Sequence, residues 1–289
     1  MSSSTQATNL RDRLAAAPWQ LWLTQTLNVA RIELRKNILT RRGFGSYLLA
    51  FLPALAVFMH GYVSQHGVCN LDEDTKVLAG IFQLYYLRLA VFFGCMGIFT
   101  WLFRGEVVEK SLHYYFLSPV RRELLVIGKF IAGAATSILI FGTGVFLCFF
   151  FMYSHMGARG SEFVFRGPGL GQLWSYMLVT VLACLGYGAV FLALSLIFKN
   201  PVLPGIFFLG WEGINAVLPS LLQKISITFY LKNLTPVAVA PDGLMALFTV
   251  VAEPVRPWVA VIGLLLLAAA VLVFACFRIR YFEISYSTD

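Results

Sequence analysis

Six long apolar runs limit how this chain can fold more than any other feature of its sequence. Each has about 20 residues or more, enough for a helix to cross a hydrocarbon layer of roughly 30 Å. The runs are Ser46–Val63, Val77–Phe103, Val126–Tyr153, Leu173–Ile197, Val202–Leu222 and Trp258–Phe277. Prolines and glycines interrupt the fifth run, and membranes tolerate a broken helix only where neighbours satisfy the freed backbone groups. We therefore predict an all-α membrane protein with six transmembrane helices.

The composition excludes the other common classes of protein. Apolar residues make up 59% of the chain and charged residues 12%, against about 45–50% and about 25% in soluble domains. A soluble enzyme, a disordered tail and a secreted disulfide scaffold are all incompatible with these values. Four of the five cysteines lie inside apolar runs, where a thiol behaves as a small apolar side chain.

The placement of the positive charges predicts the orientation of the spans. With the N-terminus inside, the inner segments carry fifteen Lys and Arg residues and the outer segments six. Because inner loops are enriched in Lys and Arg, we expect both termini in the cytoplasm. The net charge of +8 is then mostly a signal of topology, and we expect no binding of nucleic acid.

Two further segments are neither ordinary loops nor spans. Residues 1–45 are predicted as a cytoplasmic tail and a surface helix, followed by the transmembrane domain 46–289. The surface helix occupies Trp19–Arg42 and is amphipathic, as expected of a helix lying along a membrane, although a soluble helix is the alternative. The apolar stripe of the surface helix consists of Trp19, Leu23, Leu27, Ala30, Leu34 and Ile38.

The second segment lies in the outer connection Gln223–Pro257. Its short apolar stretch Leu244–Val251 is predicted to re-enter the membrane or to cap the bundle from outside.

The sequence lacks the common catalytic motifs. It contains no zinc-binding His-Glu-x-x-His, no Gly-x-Ser-x-Gly and no phosphate-binding loop. The four histidines have no partner at a metal-ligating spacing. We therefore expect no catalytic residue, no cofactor and no metal site in this chain.

The segment after the second run carries the most information about function. Arg104–Leu124 has an acidic start, a Ser-Leu pair, an aromatic stretch and Ser-Pro-Val, and Gly128-Lys129 opens the third run. This segment resembles the cytoplasmic signature of the ABC type-2 permease family, the membrane subunits of ATP-binding cassette exporters. Its acidic start is sparser than in many relatives, and Ser111 replaces the commoner threonine.

The resemblance implies a coupling helix within residues 104–125 that docks an ATPase. The residues assigned to that coupling are Glu106, Glu109, Leu112, Tyr115, Phe116, Pro119, Arg121 and Arg122. Bulky side chains on one side of a short helix suit a groove on a partner, and a proline ends the helix. The alternative is that the aromatic side chains pack on the chain's own surface helix.

Two ionisable residues lie deep in the runs. Arg88 and Glu212 have similar predicted depths, and each is costly if it faces lipid alone. We expect them to form an ion pair or to line a substrate path, with Trp211 and Asn215 beside the carboxylate. Alternatively Arg88 extends to the interface and Glu212 is protonated.

Together these features predict a permease subunit of an ATP-driven exporter of a hydrophobic or amphipathic substrate. The resemblance implies a separate cytoplasmic ABC ATPase that binds ATP and Mg, a second permease subunit in a homodimer or heterodimer, and contact with membrane lipid. The expected location is a prokaryotic inner membrane. The alternatives are a subunit that does mechanical or envelope-assembly work without a transported solute and, third, an intramembrane enzyme.

Overall fold

The computed structural model of the protein describes residues 18–39, 43–63, 70–117, 120–214, 218–237 and 255–282. Every regular element in these ranges is helical, and none of them contains a strand. The prediction of an all-α protein is therefore confirmed for the described part of the chain.

Eleven helices occupy the described ranges. In chain order they are α1 (Trp19–Leu39), α2 (Phe44–Val63), α3 (Leu71–Val108), α4 (Leu112–Leu117), α5 (Arg122–Ser154), α6 (Ala158–Phe165), α7 (Gly169–Ile197), α8 (Val202–Gly213), α9 (Ser220–Gln223), α10 (Ile227–Lys232) and α11 (Pro257–Arg278). The helix α3 contains a π-helical stretch, Ile81–Ala90, and a 3₁₀ turn, Ile279–Tyr281, follows α11.

The helices α5 and α7 form the centre of the bundle. α5 packs against α1, α2, α3 and α7, and α7 packs against α3 and α11. Small residues allow these close approaches, since a side chain at Gly144 of α5 would overlap the backbone of Ala50 in α2. The outer helices α2 and α11 are far less enclosed than the central helices.

Five helices in the described ranges are long and apolar enough to cross a membrane. They are α2, α3, α5, α7 and α11 with its 3₁₀ turn, and they match the first four predicted runs and the sixth. The chain is therefore an integral, multi-pass membrane protein. α3 has 38 residues and a length of about 57 Å, so it extends well beyond a hydrocarbon layer of roughly 30 Å.

The predicted fifth span, Val202–Leu222, is not a single long helix. Its described part begins with α8, whose 12 residues give a length of about 18 Å, too short to cross a membrane alone. Gly213 is the last residue of α8, and the short helix α9 follows Pro219. The expected count of six spans is thus not confirmed. The proposed re-entrant stretch Leu244–Val251 lies outside the described residues.

A helix, α1, covers Trp19–Leu39 of the predicted surface helix Trp19–Arg42, and the first part of its apolar stripe is exposed in the single chain. Trp19, Leu23 and Leu27 are each more than half exposed. The face that packs along α5 contains Thr26, Val29 and Glu33, which are all buried. Ala30 of the stripe is buried as well, so the packed face and the stripe share an edge. A position along the membrane surface stays a prediction.

Candidate functional site

The short helix α4 is held in place by the way in which α3 ends. Lys110 adopts a left-handed conformation with φ of 55°, and Ser111 donates its backbone N–H to the carbonyl of Glu106. The Lys110 N–H donates to Val107 in the same turn. This pair of hydrogen bonds is a Schellman motif, which ends a helix and sets the direction of the following chain. We call this end of the bundle, where α3 ends and α5 begins, the loop end.

A buried lysine lies at the centre of the loop end. The side chain of Lys129, in the second turn of α5, has no exposed surface. Its Nζ donates to Glu33 Oε1 at 2.7 Å and to the carbonyl oxygen of Leu102 at 2.8 Å, and it lies 2.8 Å from Glu106 Oε1. An ammonium has three protons, so all three find acceptors.

Further contacts extend this cluster to α4 and along α1. The Tyr115 hydroxyl donates to Glu33 Oε1 at 3.1 Å, and its ring lies 5.0 Å from Lys129 Nζ. Lys36 Nζ lies 3.5 Å from Glu106 Oε1 and 3.9 Å from Glu109 Oε2. The network therefore joins four elements, α1, α3, α4 and α5. We use the name loop-end network for Glu33, Lys36, Glu106, Tyr115 and Lys129.

Electrostatics determine the protonation of two members of the network, Glu33 and Tyr115. Burial raises the pKa of the Glu33 carboxyl, but the nearby Lys129 ammonium, assisted by Glu106 and Lys36, outweighs burial and lowers that pKa below its usual value. Burial, with the charges of Glu33 and Glu106, raises the pKa of the Tyr115 hydroxyl. Glu33 is thus a carboxylate acceptor and Tyr115 a neutral donor.

The Gly-Lys pair near the start of α5, Gly128 and Lys129, has a physical explanation in this arrangement. A side chain at Gly128 would come within about 3 Å of the Val29 side chain and the Thr26 carbonyl. The glycine allows α1 to lie directly on α5, and this approach brings Glu33 within reach of Lys129. The two residues of the pair thus act together, one by its small size and the other by its charge.

The structure corrects which face of α4 points outward. Leu112 is fully buried and Tyr115 contacts the network, so both face the chain's own bundle. The opposite face carries Tyr114 and Leu117, which are 68% and 80% exposed. Positions three apart share one face of a helix, and this separates 112 and 115 from 114 and 117. The side chain of Phe116 and all of Pro119 lie outside the described residues.

The two arginines at the start of α5, Arg121 and Arg122, also contact the chain itself. The Arg121 guanidinium lies 4.3 Å from the ring centre of Trp22 in α1. Arg122 donates to the carbonyl oxygen of Arg280 at 3.1 Å, and the Arg280 side chain forms an ion pair with Glu123 at 2.6 Å. These contacts bring the end of α11 to the loop end.

The predicted pair of Arg88 and Glu212 does not form a direct contact in the parts of both helices that the structure describes. Glu212 is 6% exposed, and its carboxylate accepts three hydrogen bonds, from Ser226 Oγ, Ile227 N and Thr228 N, at 2.8–3.0 Å. It caps the start of α10 and so joins α8 to it. Arg88 lies on the π-helical stretch of α3 and is exposed in the single chain.

The other residues predicted beside Glu212 are placed only in part. Trp211 is partly buried in the last turns of α8, and Asn215 lies outside the described residues. No group of three or more His, Cys, Asp or Glu side chains that could hold a metal ion occurs within the described ranges.

The sequence analysis missed Glu33 and Lys36 and gave Lys129 no role of its own. One signal was available, because Glu33 is the only acidic residue of α1 and lies three residues before Lys36. The sequence does not show, however, that the main partner of Glu33 is Lys129 of a distant helix.

The bundle and its loop end define a multi-pass helical membrane protein in which a short loop helix is fixed to the spans. A family model with the description ABC-2 family transporter protein matches residues 35–210, more than half of the chain. The chain therefore belongs to the ABC-2 transporter family, and the resemblance noted in the sequence is confirmed. A comparison with curated proteins gives no match.

Proposed function

We propose that this chain is the permease subunit of an ATP-driven exporter and that it works with a separate ATPase subunit. ATP and Mg bind to the ATPase, and its motion moves the spans of this chain. The transported substrate is hydrophobic or amphipathic, and a second permease subunit, identical or different, completes the passage. The loop end faces the cytoplasm of a prokaryotic cell, in agreement with the distribution of Lys and Arg.

The observation that carries this proposal is the two-sided character of α4. Its inner face is fixed by Leu112 and by the hydrogen bond from Tyr115 to Glu33. Its outer face presents Tyr114 and Leu117, two large apolar side chains that contact water or a partner. An exposed aromatic and aliphatic pair at the tip of a loop is typical of a protein contact surface.

The loop-end network supports transmission of force from that surface. A buried ion pair resists separation because either charge left alone in the interior is costly, by about 3–5 kcal/mol. A push on α4 is therefore passed to α1, α3 and α5 as one unit. This behaviour suits a lever between an ATPase and the spans.

The experiment is an affinity purification of the chain in mild detergent, with mass spectrometry of the proteins that accompany it. We expect an ABC ATPase in equal amount with the wild-type chain, and its loss when Tyr114 and Leu117 are both replaced by serine. The matched control is Val108→Ser, which changes a residue that is 71% exposed at the same end but outside α4. A well-folded chain that purifies without an ATPase contradicts the proposal.

Transport and purely mechanical work are separated by a second measurement. The assembly in sealed vesicles should move an amphipathic probe across the bilayer in a manner that depends on ATP. Steady ATP hydrolysis with no movement of any probe would favour mechanical or envelope-assembly work instead.

A further inference from the structure

A cavity of about 530 Å³ lies between α1, the start of α2 and the second half of α3. Its volume falls within the roughly 300–1,000 Å³ that is usual for small-molecule sites. One end of the cavity is polar and is formed by Lys36, Asn37 and Ser46. The walls beyond it carry large apolar side chains, among them Leu49, Phe93 and Trp101.

The polar end presents hydrogen-bond donors. Glu33 also borders the cavity, but its side chain is only 2% exposed and it is occupied by Lys129 and Tyr115. The Lys36 side chain is 36% exposed, so the ammonium is the charge that an occupant meets. The buried Asn37 Nδ2 has no hydrogen-bond acceptor among the described residues. A buried donor without an acceptor is costly, so this end suits an anionic group rich in acceptors.

The apolar part of the cavity has open space where side chains could stand. Gly45 and Gly97 both border it, and a Cβ at either position would meet no atom within 4 Å. Both glycines are exposed in the single chain, so this space is a groove that opens to the surface of the bundle and not an enclosed void. A flexible hydrocarbon chain fits a space of this kind.

We propose that this cavity binds an amphiphile with an anionic head and an acyl chain. The head lies against Lys36 and Asn37, and the chain lies along Leu49, Phe93 and Trp101. Binding is a property of this chain alone, so it does not depend on the partner ATPase. Because Lys36 also lies 3.5 Å from Glu106, an occupant competes for its ammonium and acts directly on the loop-end network.

The test uses the purified chain in detergent and the quenching of tryptophan fluorescence by brominated lipids. The probes are phosphatidylglycerol and phosphatidylcholine with the same brominated acyl chains, and brominated stearate. Subtracting the signal of a Trp101→Phe variant isolates the contribution of Trp101. We expect saturable quenching by an anionic probe at a concentration about two- to fivefold lower than for phosphatidylcholine, the effect of one partly exposed ion pair. The stronger of the two anionic probes identifies a phospholipid or a free fatty acid as the source.

Two matched glycine variants test the location of the binding. Gly97→Leu fills the cavity without a clash, whereas Gly171→Leu adds the same side chain in open space away from it. We expect the saturable component to disappear in Gly97→Leu and to persist in Gly171→Leu. Lys36→Gln should remove the preference for anionic probes. Equal quenching in both glycine variants, or equal affinity of the wild type for phosphatidylcholine and the anionic probes, would overturn the proposal.

Discussion

The Lys129 ammonium lies 2.7 Å from the Glu33 carboxylate, although 96 positions separate the two residues in the chain. This contact fixes a helix outside the bundle to one of its two central helices. The same lysine also contacts Glu106 at the end of α3, so one buried charge determines how three helices meet. The proposed transmission of force from α4 to the spans depends on this joint.

The first prediction concerns the loss of the central charge. Lys129→Met leaves Glu33 and Glu106 buried without their main counter-charge, and we expect a loss of about 3–5 kcal/mol in stability. Thermal unfolding of the purified chain in detergent measures this loss. Lys199→Met removes an exposed lysine and should change stability by less than about 0.5 kcal/mol. Equal midpoints for the two variants would show that the buried contact is not structural.

The second prediction separates pairing from simple packing. If Lys129 and Glu33 act as a pair, the double variant Lys129→Met with Glu33→Leu should be more stable than Lys129→Met alone. The reason is that the double variant no longer contains the costly buried charge of Glu33. A double-mutant cycle by thermal unfolding should give a coupling of about 1–3 kcal/mol. Additive losses would argue against the pair.

The third prediction concerns the close approach of α1 to α5. Gly128→Leu places a side chain where Val29 and Thr26 lie, so α1 must move at a cost of about 1–3 kcal/mol. Limited digestion with trypsin, which cuts after the exposed Arg31 and Arg35, should become faster. Gly171→Leu adds the same group in open space, and its digestion should match that of the wild type.

The fourth prediction concerns the cap on α10. Glu212→Ala removes the acceptor of three hydrogen bonds, and the cost should be about 1–3 kcal/mol. Hydrogen exchange followed by mass spectrometry should show loss of protection at the amides of Ile227 and Thr228. The exposed Glu162 offers a control, since Glu162→Ala should leave hydrogen exchange at the peptide that contains Ile227 and Thr228 unchanged. Unchanged exchange in Glu212→Ala would mean that other contacts hold α10.

Much of the bundle was predictable because length and hydropathy determine which segments can cross a membrane. For this reason the first four runs and the sixth each form a single long helix. The exception is the segment that starts at Val202. Its prolines and glycines were visible in the sequence, but hydropathy does not show where the backbone turns, and the end of α8 depends on the carboxylate of Glu212 capping a later helix.

The loop-end network was harder to predict, because it consists of contacts between distant positions. The sequence indicated Glu106 and the Gly-Lys pair by resemblance, but their partner Glu33 lies in a helix that was predicted to lie along the membrane surface. Leu112 and Tyr115 were correctly placed on one side of a short helix. Hydropathy alone could not determine whether that side faces a partner or the chain's own bundle.

The central claim is that the loop-end network carries the ATPase's motion to the spans, and it is tested most directly by thermodynamic linkage in the purified assembly. Cys95, Cys148 and Cys184 are buried free thiols. In a chain that carries Cys69→Ser and Cys276→Ser, their labelling by a maleimide on heating, read on this chain's own band after electrophoresis, reports unfolding of the bundle. We expect ATP with vanadate to shift the midpoint temperature of labelling in the wild-type chain. The control variant Glu73→Gln, which changes an exposed residue, should show the same shift. In Glu33→Gln the ATPase should remain bound while the shift is lost. The same shift in Glu33→Gln as in the wild type would contradict the claim.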